Sequence, residues 1–559
     1  MQRLPTETLT SIFRHFCLHC AHPEGHDAYF RCRPGRPQQP DDSSWYSVEY
    51  RKPLHALCLV SRSLRDIVQP ILFHEFILGY GDSWRSTQYS WDRRLTSFFQ
   101  TVIDRRDLAA EVQRLFLHPQ LQDCSELEDV AVFEGLRNLA ASLGFKLSGA
   151  LRPSRKPTST SSGPVRGPPP VYHAPDGALK ELVEAYLIEC SCPVMPNRDE
   201  RISDYISSSE AKQRYRLTAA LFAILVTQLP NLQRLSFQPS LFHNEVISQA
   251  TLRSVHTSAL SRLQTLDIST RDWTAFFNLF SEARAMLTSS AASLTTLNLH
   301  MCDTFWSEAR SSPPPNLSGL KHIHLTRCRL TEKQLQKLLS SCSSGLQAFV
   351  FEAAYPYDGT WWDSYEHFQP SDAVTHLGAH EDTLKSLHLD LRARGRRKPH
   401  SKEHKTDGGH IHPISSLERF TALEHLLINS SSICGSSETS DMEIAAGRRQ
   451  PLVAILPPNI IALDIVGYLG VKDSPHLVQG LIGLAESLSR GQFERLKQVR
   501  CDSSQEIDEH VASLFGAHGV NFSQQEWPLS ESTVDIMDVP EPLRYVDYPL
   551  PDESEDEDL

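Results

Sequence analysis

One six-residue template recurs through this chain and leaves few folds open to it. LQRLSF (232–237), LQTLDI (263–268), LTTLNL (294–299), LKHIHL (320–325), LQAFVF (346–351), LKSLHL (384–389), LEHLLI (423–428), IIALDI (460–465) and LKQVRC (496–501) all read Φ-x-x-Φ-x-Φ, with Φ apolar. Successive copies start 31, 31, 26, 26, 38, 39, 37 and 36 residues apart, and an earlier copy, VQRLFL, starts at Val112. The fourth and sixth positions are two apart, so both side chains point to one face of a short strand. Helical patterns fill the gaps, as in TEKQLQKLLSSC (331–342) and HLVQGLIGLAESLSR (476–490). One strand and one helix cannot bury their own apolar faces, whereas stacked copies can. The expectation is an α/β solenoid, with a parallel sheet on one side and helices on the other.

The third, fifth and seventh template positions alternate with the buried ones and should face away from the core. They include Asp267, Asn298, His300, His322, His324, Glu352, His388, Asp390, His425, Asn429, Asp464, Arg500 and Asp502. Nine strands at a spacing of about 4.8 Å make a surface on the order of 40 Å long. Solenoids bind partners on such a face. Asn298, His300, His322, His324, His388, Asp390, His425 and Asn429 are therefore the candidate substrate surface. Histidines titrate near pH ~6.5, so affinity there is expected to vary between about pH 6 and 7.5.

Charge narrows the partners. The formal net charge is −13, but the last 34 residues, from Glu526, hold twelve acidic residues and one basic one. The body is close to neutral, so no nucleic-acid partner is implied. Residues 521–559 read as an acidic disordered tail, with Ser554 placed for an acid-directed kinase. The stretches 151–176 and 392–410 read as disordered insertions. The second is basic, and a nuclear-localisation patch is its sharper reading.

No run reaches the ~18–20 apolar residues that span a bilayer. The longest, LTAALFAILVTQL (217–229), reads as a buried helix. With no apolar signal core at the start, the chain is expected to be cytoplasmic, nuclear or both, and its twelve cysteines reduced.

No phosphate-binding glycine loop, nucleophile elbow or H-E-x-x-H motif is present, so no enzymatic activity and no cofactor are expected. Cys17 and Cys20, with His22, His26 and Cys32, supply zinc-ligand types. Their spacing is poor, so the expectation is no metal.

The N-terminal segments add a second module. Pro5 suits a first helical turn, and Leu9, Ile12, Phe13 and Phe16 follow at helical spacing. The segment 53–78 carries a second helical pattern, with a break expected at Pro70. Leu4-Pro5-x-Glu7-x-Leu9-x-x-Ile12-Phe13, then Leu57-x-Leu59-Val60-Ser61-Arg62, then Pro70-x-Leu72-Phe73, resembles an F-box over 1–78, with an insert at 17–53. The repeats, at 79–520, resemble leucine-rich repeats of the cysteine-containing subtype, with Cys302 and Cys328 at the turn after the strand.

These resemblances imply a three-helix F-box followed by a solenoid whose parallel sheet is concave and whose helices are convex. They also imply docking of the Skp adaptor, and through it cullin, by Leu4, Pro5, Glu7, Leu9, Ile12, Phe13, Leu57, Val60, Ser61 and Arg62. The function implied is the substrate-recognition subunit of an SCF-type ubiquitin ligase, with the repeats holding an unidentified protein substrate. The alternative is a repeat scaffold with no ubiquitin-ligase role. No membrane partner is expected.

Overall fold

The computed structural model describes residues 4–21, 51–76, 94–117, parts of 135–143, 221–237, 260–269, 279–300, 302, 314–342, 345–354, 368–391, 414, 416–434, 451–467, 475–502, 507 and 509–524. The insertions at 151–176 and 392–410, residues 22–50 of the first insert, and the tail beyond 524 lie outside them. The chain divides into two compact units, with the division after Leu121.

In the first unit, α1 (Thr6–Arg14) is followed by a single turn, α2 (Leu18–Ala21), then α3 (Lys52–Val60) and α4 (Arg62–Leu72). Pro5 is the residue before α1, and its carbonyl accepts the Leu9 N–H at 3.1 Å. Leu9, Phe13, Cys17, Leu54, Cys58, Val68 and Ile71 make the core of these helices. The expected break at Pro70 falls instead at Ser61. Ser61 is extended (φ −158°, ψ 161°), and its Oγ caps α4 by accepting the Leu64 N–H at 3.2 Å. Pro70 lies in the last turn of α4, where its missing N–H costs one bond and the helix ends two residues later.

Two strands, β1 (Glu75–Phe76) and β2 (Arg114–Leu117), pair in parallel, joined through helices α5 (Arg94–Asp104) and α6 (Arg106–Glu111). The boundary read at 78 is thus too early. FHEFIL (73–78) is itself a copy of the template, and the His74 carbonyl accepts from both Gln113 N (2.8 Å) and Arg114 N (3.1 Å). The VQRLFL copy belongs with it in the first unit.

The second unit carries ten parallel strands in chain order. They are β3 (Arg234–Phe237), β4 (Thr265–Ser269), β5 (Thr296–His300), β6 (His322–Cys328), β7 (Ala348–Ala353), β8 (Ser386–Asp390), β9 (His425–Asn429), β10 (Ala462–Val466), β11 (Gln498–Asp502) and β12 (Asn521–Gln524). One hydrogen-bond device sets the register. The second and third N–H groups of a copy both donate to the second carbonyl of the copy before it. Gln264 N and Thr265 N reach Gln233 O at 2.7 and 2.9 Å, and the same pair of bonds recurs down to Lys497 and Gln498 on Ile461 O. Asn521 N on Lys497 O, at 2.8 Å, extends the series to β12.

The sheet therefore runs to Gln524, four residues into what the sequence assigned to the tail. Gly519, at φ +71°, makes the turn into β12 after the helix Glu509–Gly516, and Phe522 stacks on Phe515 at 5.5 Å.

First, fourth and sixth template residues are buried, as Leu263, Leu266 and Ile268 illustrate at 0–1% exposure. The helices between strands pack on their successors: Glu332–Ser340 on Pro370–Leu377, and Pro451–Ile455 on Pro475–Ser489. Thr331 and Gln334 cap the first of these reciprocally, Thr331 N–H to Gln334 Oε1 (2.8 Å) and Gln334 N–H to Thr331 Oγ1 (3.4 Å). Residues 221–226 are wholly buried in a helix, as their sequence requires. Among the described residues, no helix is long and apolar enough to cross a membrane.

Candidate functional site

Two surfaces carry the residues singled out by the sequence. On the helices of the first unit, those residues divide by direction. Leu9 and Phe13 point into the core at 7% and 3% exposure, so their contribution is to hold α1 in place. Leu57 and Ser61 are half-buried, while Pro5, Glu7 and Arg62 are exposed. Leu4, Ile12, Leu59 and Val60 stand out at 46%, 42%, 71% and 68% exposure, and they are the large exposed hydrophobics among the described residues. Burying a Leu or Ile side chain from water is worth about 1.5–3 kcal/mol, so four left exposed, before and on α1 and on α3, are apolar side chains available to a partner.

The outward face of the second unit is narrower than its alternation predicts. Most third and fifth positions are open: His425 is exposed, and Asn298, His322, His324 and His388 are half-buried, whereas Arg234, Ser236 and Leu427 are buried. The seventh position is closed in five copies, Val466 among them, while Thr326 and Asp502 stay half-buried. His300 is 9% exposed, Glu352 2%, Asp390 0% and Asn429 0%. His300, Asp390 and Asn429 are therefore corrected from surface to interior.

The reason is local. At the seventh residue the strand hands over to the turn, and side chains there bond to the neighbouring copy. Asn429 Oδ1 accepts the Leu391 N–H of the preceding copy, and His300 Nδ1 meets Thr326 Oγ1 at 2.7 Å. The thiols at the turn do the same work. Cys302 Sγ reaches Ile268 O (3.6 Å) and His300 O (3.4 Å), and Cys328 Sγ reaches Leu299 O (3.5 Å) and Thr326 O (3.4 Å).

Charges on the open face are paired across strands. Arg234 donates to Asp267 at 2.8 and 3.3 Å, Ser236 also bonds Asp267, and Asn298 Nδ2 donates to it at 2.5 Å. Further along, Arg500 Nε donates to Asp464 at 2.9 Å. Burial raises the Asp464 carboxyl above the ordinary range, against the opposing pull of Arg500.

Among the other described thiols, Cys58 and Cys501 are buried. Part of the Cys342 side chain reaches the surface, but burial pushes its thiol up to about 12, eased only by a bond with Ser341. Because the thiolate is the nucleophile, Cys342 is expected to resist iodoacetamide at pH ~8 in the native chain and to react once unfolded. Mass-spectrometric mapping of the labelled cysteine checks this, and prompt native labelling would contradict it.

Cys17 and Cys20 stand apart among the described thiols. Both face His74, and neither His22, His26 nor Cys32 is among the described residues. Cys20, in a hydrogen bond with Cys17 and facing His19 and His74, is held far below the thiol range. Cys17, in that hydrogen bond and buried, is pushed well above it. His74 carries no local signal: FHEFIL continues the helical pattern before it, so the histidine at the template's second position reads as part of a helix.

Together these features define a class: a strand–helix repeat solenoid in the second unit, with a helical module and a two-stranded sheet in the first. No known family pattern matches the chain, and no curated protein matches it. A crystal structure of a Bacteroides fragilis protein is similar over 55% of this chain and 70% of that one, at 8% identity and a TM-score of 0.26.

Proposed function

We propose that the chain is a substrate receptor of an SCF-type ubiquitin ligase. In this reading the helices of residues 4–72 are an F-box that docks the Skp adaptor and so recruits cullin. The solenoid is a set of leucine-rich repeats that holds a protein substrate, raising its effective concentration near the conjugating enzyme. The chain itself does no chemistry.

The carrying observation is the coincidence of motif and exposure. Leu4, Ile12, Leu59 and Val60 are the large apolar side chains left in water among the described residues, and all four fall within the F-box-like motif. The substrate would lie across the open third and fifth positions, chiefly His322, His324, His388, His425 and Asn298.

Exposure also selects the test. Ile12→Asp with Val60→Asp alters side chains outside the core, so stability should change by no more than about 0.5 kcal/mol per site. Co-purified adaptor and cullin should fall at least ~10-fold, the equivalent of ~1.4 kcal/mol. Adaptor retained at the wild-type level by a folded double variant would overturn the proposal.

A further inference from the structure

The first unit brings four ligand-type side chains to one point. Cys17 precedes α2, His19 and Cys20 lie on it, and His74 follows α4, fifty-four residues beyond Cys20 in the chain. One donor atom from each lies within 4.8 Å of the others. Cys20 Sγ is 3.3 Å from His74 Nδ1 and 3.5 Å from His19 Nδ1, and Cys17 Sγ is 3.7 Å from His74 Nδ1. Zinc bonds of about 2.3 Å to sulfur and 2.0–2.1 Å to nitrogen give a tetrahedral S···N edge near ~3.5 Å. The three separations bracket that edge.

Two features of His74 point the same way. Its backbone occupies the template's second position. Elsewhere in the series that position is Gln113, Gln233, Gln264, Thr295, Lys321, Gln347, Lys385, Glu424, Ile461 or Lys497, all half-buried or exposed, or Val520, an apolar residue buried at 3%. Among the polar residues of this set His74 is the buried one, at 6% exposure. Its ring is also aligned from behind: Nε2 lies 3.7 Å from Glu111 Oε2, on the side away from the sulfurs. A carboxylate behind the far nitrogen of a histidine is the usual arrangement for a metal-bound imidazole. His19 completes the set, its ring edge-on to His74 at 5.4 Å.

We infer that Cys17, His19, Cys20 and His74 form a tetrahedral Cys₂His₂ site for a zinc-class divalent cation, with Glu111 as the positioning residue behind His74. Four protein ligands leave no open position, so the site is structural. Binding displaces the thiol protons, and the metal holds two thiolates and two neutral imidazoles. The bonds tie the end of α1 and α2 to the turn after α4, across a connection that includes residues 22–50. A site of this kind holds the two ends of the helical module together whatever that connection does. The inference is independent of adaptor binding and stands on geometry alone.

The test uses the full reduced chain, purified without chelator. Elemental analysis should find about one zinc per chain beyond that of a Cys17→Ser/Cys20→Ser variant. Cobalt(II) substituted into the native chain should give the intense visible bands of a tetrahedral dithiolate site, absent from the variant. Glu111→Gln keeps all four ligands, and its zinc affinity should fall ~10–100-fold while the cobalt bands keep their shape. A folded wild-type chain that takes up neither zinc nor cobalt would overturn the site. So would a variant that keeps its metal, or a chain isolated with Cys17 and Cys20 joined as a disulfide that stays metal-free after reduction.

Discussion

Phe351→Ala is expected to lower the unfolding free energy by about 3–5 kcal/mol, the usual cost of removing a fully buried aromatic ring. Phe351 is 0% exposed at the sixth template position of β7, paired in register with Leu325 on β6 and Leu389 on β8. Its ring packs edge-on against Phe368, with centroids 4.6 Å apart and planes at 66°. The cavity would thus open at the junction between three copies. In a solenoid each copy contacts only its neighbours, so damage in β7 also weakens the coupling between β3–β6 and β8–β12. Urea unfolding should show both effects: a lower midpoint and a broader or split transition. Phe351→Leu, which keeps most of the volume, should cost about 1.5 kcal/mol or less. A cycle with Phe368→Ala should return a coupling of about 0.5–1.5 kcal/mol for the ring pair. A loss below ~1 kcal/mol for Phe351→Ala would mean that the strands are not the shared core described here.

The interior of the array was legible because its template is set by backbone period. Leu266, Leu297, Ile323, Phe349, Leu387, Leu426, Leu463 and Val499 all fall at the fourth position, and all are buried at 0–1%. What escaped sequence reading escaped for identifiable reasons. FHEFIL went unrecognised because Phe73 and Phe76 follow a helix without interruption and continue its apolar pattern. The strand at Asn521–Gln524 went unrecognised because Gly519 and Gln524 stand at its first and sixth positions, where the template demands apolar residues.

Alternation also misplaced the seventh position. Period two says which way a side chain leaves the strand, not whether the chain beyond it closes over. Asn429 and Asp390 leave on the open side and are nonetheless buried, Asn429 because it serves the Leu391 N–H. The cysteine site was half visible. Cys17 and Cys20 lie three apart, but His74 comes to them only through the packing of α1 against α4 and of α4 against α6, a long-range fact with no local signature.

Asp267→Ala is expected to cost about 2–3 kcal/mol, a large effect for a residue on the open face. Asp267 accepts two bonds from Arg234, one from Ser236 and one from Asn298, so it joins β3, β4 and β5. The Arg234 side chain is 10% exposed and the Asp267 side chain 20%, so water screens the pair poorly. Hydrogen bonds to charged groups are worth about 1.5–3 kcal/mol, and truncating one partner strips a nearly buried guanidinium of its counter-charge. Asp267→Asn keeps the shape and one acceptor oxygen but removes the charge, and should fall between wild type and alanine. Replacing both partners, Arg234→Met with Asp267→Leu, should recover most of the loss, because a buried ion pair roughly breaks even against apolar residues of similar volume. Denaturant unfolding of the four proteins decides the matter. If the single alanine variant is neutral, or if the double replacement is as damaging as the single, the network does not anchor this end of the sheet. If the series runs as expected, Arg234, Asp267 and Asn298 form a fixed polar strip, and the adjoining histidines at His322 and His324 present their rings from a rigid floor.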